Sequence, residues 1–553
     1  MRKFNVTGLC TPEEDYMVNL SGKVAQISKL IESRSYFTIN RARQYGKTTI
    51  LLALERALKD KYIIASISFE GLGDEAFSSE KAFCGAFIKH VTNACRNSGA
   101  PDDFIAQWNQ PTVASFDALS DHISDMCTSR DVVLMIDEVD KAGDNRVFLH
   151  FLGMLRNKFL ARKSNKDATF YSVILAGVYD IKNIKLKMIR DGSYIPGDAE
   201  GAVYNSPWNI AVSFDVDMSF CPEEIASMLA EYENDHHTGM DIAAVSGEIY
   251  YFTGGYPFLV SRICQCIDEE PGGDRVMGSG WTTGDVRATG DDRAMGGDRA
   301  MGSGWTTGGI RRAVQKLLGE TNTLFDDIFK NIENNAELSE MLYDLLIRGD
   351  VQPYVAYDST VSIGLRYGFI TSAGDSGKLV IANKIFEALI TNYFVSIDLR
   401  RRRRHTGVLQ NDLLSDGRFD MALCLRKFAE HYAVIYNELD AQFLERNGRL
   451  LFLSYLKPLI NGQGFYHIES QFTDARRMDL VVDFGRQQFI IELKIWRGEQ
   501  YQHEAYEQLC SYLDSKNAAE GYLLTFDFRK EGRKVQSAEW LEADGKRIFS
   551  VIV

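Results

Sequence analysis

At 553 residues and 62.4 kDa the chain exceeds what one hydrophobic core can organise, so several folded units are expected. A composition of 45% hydrophobic, 11% aromatic and 25% charged residues excludes wholesale disorder, collagen-like repeats and a coiled-coil rod. With 62 Lys+Arg against 76 Asp+Glu the net charge is −14, so any nucleic-acid contact has to be local rather than a property of the bulk charge.

Apolar runs such as Val132 to Ile136 fall far short of the ~18 residues that cross a bilayer, and Met1-Arg-Lys-Phe-Asn5 leads into polar sequence. The expectation is a cytoplasmic protein without membrane contact. Nine cysteines lacking paired metal-ligand spacing read as buried reduced thiols.

Over residues 1–220 helical and strand patterns alternate as in a three-layer α/β domain: helix 20–33, strand 36–40, helix 48–58, strand 62–69, helices 80–95 and 113–127, strand 132–136, helix 145–161 and strand 170–176. Strands that are continuous apolar runs belong in a buried parallel sheet. Residues 221–270 carry three amphipathic segments that suit a helical lid. Between 271 and 309 the sequence is rich in Gly, Asp, Arg and Thr, and residues 273–284 return at 297–308 with one change, which predicts a flexible duplication insert. Helices followed by a hairpin over 310–398 predict a winged-helix-like unit. The arginine run 400–404 marks a basic linker at 399–417, with a solvated hinge favoured over a nucleic-acid contact. A second α/β domain is expected over 418–553, with helices to about 459, strands 479–484, 488–495 and 521–526, and a helix over 504–515.

Strand 36–40 runs into Arg41-Ala-Arg-Gln-Tyr-Gly-Lys-Thr-Thr49 and then a helix, a setting in which backbone N–H groups wrap phosphates. Gly46 admits the phosphates, Lys47 can reach β and γ oxygens, and Thr48 can ligate Mg²⁺. Arg43, Gln44 and Thr49 complete the candidate nucleotide loop. Arg41 stands where the usual G-x-x-x-x-G-K-[ST] pattern has its first glycine. About ninety residues on, a buried strand ends in Asp137-Glu138, suited to holding the metal and polarising the attacking water.

Near the C-terminus Asp479 precedes Glu492-Leu-Lys494 by twelve intervening residues. Glu492 and Lys494 share a strand face, and a hairpin would bring Asp479 to them. Two carboxylates could then hold Mg²⁺ while Lys494 orients a water. On spacing alone, a cross-strand salt bridge serves equally well.

Residues 37–49, Met135-Ile-Asp-Glu-Val-Asp140 and Val173-Ile-Leu-Ala-Gly-Val-Tyr-Asp180 together resemble the bacterial AAA-ATPase-like family, often joined to a PD-(D/E)XK nuclease-like domain. That family also lacks the first loop glycine. The resemblance implies a multidomain α/β protein: a P-loop NTPase core with helical lid and winged-helix-like unit, then a restriction-endonuclease-like α/β domain. It implies ATP and Mg²⁺ as cofactors, with Asp479, Glu492 and Lys494 matching the D…E-x-K pattern. Gly254-Gly-Tyr-Pro257-Phe resembles a G-x-P segment placed near the nucleotide, Gln508 with Tyr512 a Q-x-x-x-Y element, and Glu445 an extra acidic residue. Arg41 and Arg43 fit phosphate or neighbouring-subunit contacts as well as structural ion pairs; Tyr179 and Asp180 are sensor candidates.

Against cleavage, residues 421–553 hold 17 Lys+Arg and 19 Asp+Glu, so a basic face would need local clusters such as Arg476-Arg477, Arg497 or Arg529-Lys530. The expected function is ATP binding and hydrolysis coupled to a metal-dependent nuclease-like domain acting on nucleic acid, DNA in the first place, with a possible homo-oligomer. The alternative is a nucleotide-switched signalling or scaffold ATPase whose C-terminal domain binds without cutting.

Overall fold

The computed structural model describes the chain apart from residues 1, 110–112, 143–144, 179–207, 215, 270–303, 349–351, 356, 374–376, 403–412, 416–417, 437–440, 461–463, 471–477, 486 and 530–536. Side chains are additionally outside the description at 399, 401–402, 415, 433–436, 441–446, 467–470, 478–479 and 543. Two compact units result, one formed by Met1–Glu231 with Gly255–Ser261 and Arg366–Gly368, the other by Tyr232–Gly254, Arg262–Leu365 and Phe369–Val553.

In the first unit, strands β1 (Tyr36–Asn40), β2 (Ile63–Ser68), β3 (Val132–Asp137) and β4 (Ser172–Gly177) form a parallel sheet in the order β1-β4-β3-β2. The strands are short and largely apolar because both sheet faces are covered, with polar residues such as Asn40, Ser66 and Ser68 at less buried positions of β1 and β2. Alternate residues serve opposite cores. Tyr36, Leu134, Ile136, Val173 and Leu175 pack with helices α3 (Glu80–Asn97), α4 (Asp102–Trp108), α5 (Phe116–Cys127) and α6 (Arg146–Lys163). Phe37, Ile39, Val133, Met135 and Ile174 pack with α1 (Ser21–Glu32) and α2 (Lys47–Leu58). This is the three-layer arrangement that the alternating pattern predicts. A single parallel bridge from Phe37 to Val212 extends the sheet past β1.

Helix α7 (Pro222–His236) follows, and α8 (Ile242–Thr253) and α9 (Pro257–Asp268) flank the two glycines at 254–255. In the second unit α10 (Thr307–Leu318) begins within the span read as a flexible insert. Thr306 caps it by accepting from Gly309 N at 3.1 Å, and Trp305 is buried with its ring 4.7 Å from Tyr232. The rest of the insert lies outside the described residues. Helices α11 (Thr323–Asn334), α12 (Ala336–Tyr343) and α13 (Ser359–Arg366) precede a two-strand antiparallel hairpin, β5 (Ile370–Ser372) and β6 (Leu379–Ile381). Helix α14 (Lys384–Arg402) then carries the start of the arginine run.

The C-terminal sheet follows a small bridge of β7 (Leu414–Ser415) and β8 (Arg418–Phe419) and helices α15 (Met421–Tyr436) and α16 (Ala441–Ile460). It contains β9 (Gly464–Ser470), β10 (Met478–Phe484), β11 (Gln487–Ile495), β12 (Glu520–Phe526), β13 (Ser537–Ala543) and β14 (Lys546–Ile552) in the order β13-β14-β12-β11-β10-β9. Helix α17 (Glu499–Ser515) covers one face: Ala505, Leu509 and Leu513 pack on Val481, Ile490, Leu523 and Ile548. Strands β9, β13 and β14 are additions to the expected set, and α17 starts five residues earlier than its apolar spacing indicates.

The fit of α17 on β12 is close at Gly521, where a Cβ would lie 2.8 and 3.2 Å from the Leu513 methyls and 3.3 Å from Leu509. Gly521→Ala is therefore expected to destabilise this unit by about 1–3 kcal/mol through overpacking, read as a lower denaturation midpoint. An unchanged midpoint would mean that the helix shifts freely on the sheet.

All nine cysteines are unbridged. Cys221 is exposed, Cys10 and Cys127 are half-buried, and the others are buried, so the reading of buried thiols holds for six. Among the described residues no helix is long and apolar enough to cross a membrane.

Candidate active sites

The loop between β1 and α2 owes its shape to two left-handed residues, Gln44 at φ 56° and Gly46 at φ 73°. Such backbone turns successive N–H groups into one concavity, and α2 begins at once with Lys47. Lys47 is only 6% exposed, and its Nζ donates to the carbonyls of Arg41 (3.0 Å) and Ala42 (2.9 Å). Burial pushes its pKa down, against the attraction of Glu138, Asp140 and Asp137, while Arg43 pushes the same way as burial. An anion in the loop would relieve that strain.

Thr48 Oγ1 donates to Asp137 Oδ2 at 2.6 Å, and Glu138 N donates to Asp137 Oδ1 at 2.9 Å. The two ends of the motif, separated by almost ninety residues, thus meet in space. They can do so because β3 lies two strands from β1 with only β4 between. Glu138 itself adopts a left-handed φ of 54°, a strained conformation for a non-glycine residue that turns its side chain away from the strand direction. Burial raises its pKa; Lys47 opposes this, and Asp137, Asp140 and Glu70 add to it.

Asp140 was missed in the sequence. Its Oδ2 accepts from Val178 N at 2.5 Å, tying the carboxylate segment to the end of β4. That tertiary contact, together with its electrostatic action on Lys47 and Glu138, distinguishes it from an exposed acid. Arg41 donates to the carbonyls of Asn40 (2.9 Å) and Val216 (3.0 Å), which gives it a structural contact within the unit. The Arg43 carbonyl accepts from Tyr256 Oη at 2.6 Å, and the Tyr256 ring meets Tyr45 edge-on at 4.6 Å. The neighbouring Pro257 and Phe258 share with Gln44, Gly46 and Thr49 the wall of a cavity of about 100 Å³, closed on its other side by Val6, Cys10 and Val18. Thr49 Oγ1 accepts from Cys10 N at 3.3 Å and so fastens the N-terminal segment to the loop. Tyr179 and Asp180 lie outside the described residues.

In the C-terminal unit β10 and β11 are antiparallel neighbours with two intervening residues, Gly485 and Arg486, and Asp479 pairs directly with Glu492. Directly opposed residues share a sheet face. Lys494 follows two positions later and shares with Glu492 the face covered by α17. Glu492 is 2% and Lys494 4% exposed, and Lys494 Nζ lies 2.6 Å from Glu492 Oε1. The contact is off hydrogen-bond geometry, and neither atom has a hydrogen-bond partner among the described residues. A buried charge pair with unmet bonding capacity is costly unless something else completes it. The Asp479 side chain is outside the description, and among the described residues no three His, Cys, Asp or Glu side chains form a metal cluster.

The first turn of α17 contributes Gln502, which sequence reading passed over. It is buried, and its amide exchanges 3.2 Å contacts with Thr525 Oγ1, the residue paired with Lys494 across β11 and β12. Tyr506 Oη donates to Ser550 Oγ at 2.8 Å. Gln502 and Tyr506 have the same Q-x-x-x-Y spacing as Gln508 and Tyr512, so the signal was present in the sequence; only the helix face decides between them. Gln508 is half-buried with Oε1 lacking a hydrogen-bond partner among the described residues. The Glu445 side chain, Arg476, Arg477 and Lys530 lie outside the description.

Residues 465–536 match the PD-(D/E)XK nuclease superfamily, a span that includes β10, β11, α17 and β12. No curated protein matches the sequence. Among solved structures, a Walker-type ATPase of Pyrococcus abyssi aligns at 11% identity over 70% of this chain and 99% of its own, with a TM-score of 0.41. Cdc6p from Pyrobaculum aerophilum aligns at 11% identity over 71% and 97%, with a TM-score of 0.29. The Aeropyrum pernix ORC2 protein in its ADPNP-ADP complexes aligns at 11% identity over 70% and 97%, with a TM-score of 0.31. The chain thus combines an α/β unit in which Thr48, at the start of the helix after β1, meets Asp137 at the end of β3 with a C-terminal region that matches the PD-(D/E)XK nuclease superfamily over residues 465–536.

Proposed function

We propose that the N-terminal unit binds and hydrolyses ATP and that the C-terminal domain is a metal-dependent nuclease, acting on DNA, whose activity nucleotide controls. The observation that carries this reading is the Glu492–Lys494 pair, buried opposite Asp479 with its bonding capacity unmet. Residues 221–270 would serve as the lid, 310–398 as a winged-helix-like unit and 399–417 as a basic linker, in a cytoplasmic protein that would self-associate as a homo-oligomer.

At the first site the backbone around Gln44 and Gly46 would cradle phosphates, Lys47 would exchange its loop carbonyls for β and γ oxygens, and the cavity beside Pro257 would take the base. Arg43 would face the phosphates or a neighbouring copy. Thr48 and Asp137, already in contact, suit Mg²⁺, which would neutralise phosphate charge there. Glu138 would orient and polarise the attacking water. Because burial raises its pKa, the acid limb of the hydrolysis profile should lie above the usual carboxylate range near 4. Folding linkage has the matching sign: protonated Glu138 contributes stability below its unfolded pKa, and that contribution is lost as pH rises through the folded value. A profile flat down to pH 4 would argue against Glu138 as base.

At the second site Asp479 and Glu492 would hold Mg²⁺, which supplies Lewis-acid stabilisation of the phosphodiester. Lys494 would orient the water, and Gln502, through Thr525, would fix the strand beside it. Glu445 and Gln508 remain candidates for supporting roles. The test is cleavage of linear, circular and single-stranded DNA and of RNA with Mg²⁺, with and without ATP, beside Glu492→Gln. Metal-dependent cleavage lost in the variant supports the reading. The near balance of 17 basic and 19 acidic residues over 421–553 favours a second reading, a nucleotide-switched scaffold that binds without cutting; it predicts nucleotide-dependent assembly and no cleavage.

A further inference from the structure

The parallel strands β11 and β12 leave the sheet side by side at their carboxyl ends, where Trp496 N donates to Phe526 O at 2.8 Å. Carboxyl ends of parallel strands are where open α/β sheets receive ligands. Two exposed arginines stand at these exits, Arg497 after β11 and Arg529 after β12. Each guanidinium lies over an aromatic ring: Arg497 Cζ is 6.0 Å from the Tyr501 centroid, and Arg529 Cζ is 5.4 Å from that of Trp496. Tyr501 is also 5.8 Å from Lys494 Nζ, so one half-exposed ring adjoins both the buried site and the exposed cation.

Arg529 is held in place. Its Nε and Nη2 donate to Asp527 Oδ1 and Oδ2 at 2.9 and 2.8 Å, and the Asp527 carboxylate is fully buried. A bidentate pair of this kind fixes the plane of the guanidinium and leaves its outer face to solvent. In a domain whose acidic and basic residues nearly cancel, Arg497 adds a cation at this strand end, while the Asp527-paired Arg529 plane and the Tyr501 ring add flat π surface.

We infer that Arg497, Tyr501 and Arg529 form a rim that grips one nucleic-acid strand next to the Glu492–Lys494 site, with Arg497 on a phosphate, Tyr501 beneath an unpaired base and the Arg529 plane beneath the next. The inference rests on the nuclease reading of that site. Sequence-tolerant stacking on aromatic and guanidinium planes, combined with phosphate contacts, is how proteins hold unpaired strands. A base inside a duplex is not free to stack in this way. The rim accordingly selects single-stranded segments or frayed ends.

The test uses the full chain and fluorescent single-stranded and duplex DNA of the same sequence, with Ca²⁺ replacing Mg²⁺ during anisotropy titrations at several salt concentrations. Arg497→Glu is expected to weaken single-strand binding at least about ten-fold and to flatten the salt dependence by about 0.7 in the log–log slope, the share of one phosphate contact. Tyr501→Ala should weaken single-strand binding about ten-fold and duplex binding much less. Arg497→Lys should restore most of the affinity lost in Arg497→Glu, and thermal melting of each variant reports that the fold is intact.

If Glu492→Gln abolishes cleavage while all rim variants bind like the parent, the rim is overturned and the metal site stands. Equal losses on duplex and single strand in Tyr501→Ala overturn the single-strand preference. A parent chain that neither binds nor cuts either DNA removes the rim and the nuclease reading together.

Discussion

Lys47→Ala is expected to lower ATP turnover at least about a hundred-fold, the scale on which loss of one preorganised donor to a developing charge is felt. The structural reason is specific to this loop. Lys47 Nζ sits between the Arg41 and Ala42 carbonyls with its charge poorly solvated, and no other described lysine reaches those carbonyls. Alanine removes both hydrogen bonds and the charge, at about 1 kcal/mol of loop stability for each bond, too little to unfold the unit. Lys47→Arg should not restore turnover, because a planar fork does not fit a position shaped for a compact ammonium. Coupled ATPase assays, with thermal melting as the control for folding, measure both variants. Turnover within a few-fold of the parent would remove this residue, and with it the loop, from the catalytic account.

Glu492→Gln should lower metal-dependent cleavage by roughly 10²–10⁴-fold, and because it leaves Lys494, 4% exposed, without its anion it also lowers stability, which thermal melting of the variant measures. Glutamine keeps the volume of the side chain and removes the charge, so Lys494 loses its neighbour's anion but no packing. The opposite change also removes volume. Lys494→Ala would leave a carboxylate 2% exposed and without its cation, a situation that costs about 3–5 kcal/mol when one member of a buried pair is deleted. Lys494→Met fills the same space but leaves the same carboxylate without its cation, so its thermal melting, measured beside cleavage, separates loss of chemistry from loss of fold. Cleavage should vanish in Glu492→Gln and Lys494→Met alike, while ATP hydrolysis persists in both. Cleavage that survives Glu492→Gln would reassign the pair to a structural salt bridge, the reading that spacing alone left open.

The parts of the protein legible in its sequence are those in which one local signal dominates. Continuous apolar runs identify β1, β3 and β4 because a doubly covered parallel sheet admits almost no polar side chain. Gly46-Lys47-Thr48 and Asp137-Glu138 are readable because phosphate and metal chemistry restrict the residue types at a strand end. Strand alternation likewise shows that Glu492 and Lys494 share a face.

What the tertiary structure decided is the pairing. Ser537–Ala543, with its Ala, Glu and Leu, has the composition of a helix, yet it forms β13 because β14 offers an antiparallel partner along its whole length. The direct opposition of Asp479 and Glu492 depends on a two-residue connection closing β10 onto β11; a shift of one residue would put Asp479 on the other face. Gln502 and Gln508 carry the same motif spacing, and only the seating of α17 on the sheet puts Gln502 against Thr525. Asp140 gains its tie to Val178 only when β4 inserts between β1 and β3. Local sequence thus determined which residue types could perform the chemistry, whereas strand order, register and helix rotation, set by burial of surfaces distant in the chain, decided which of them meet.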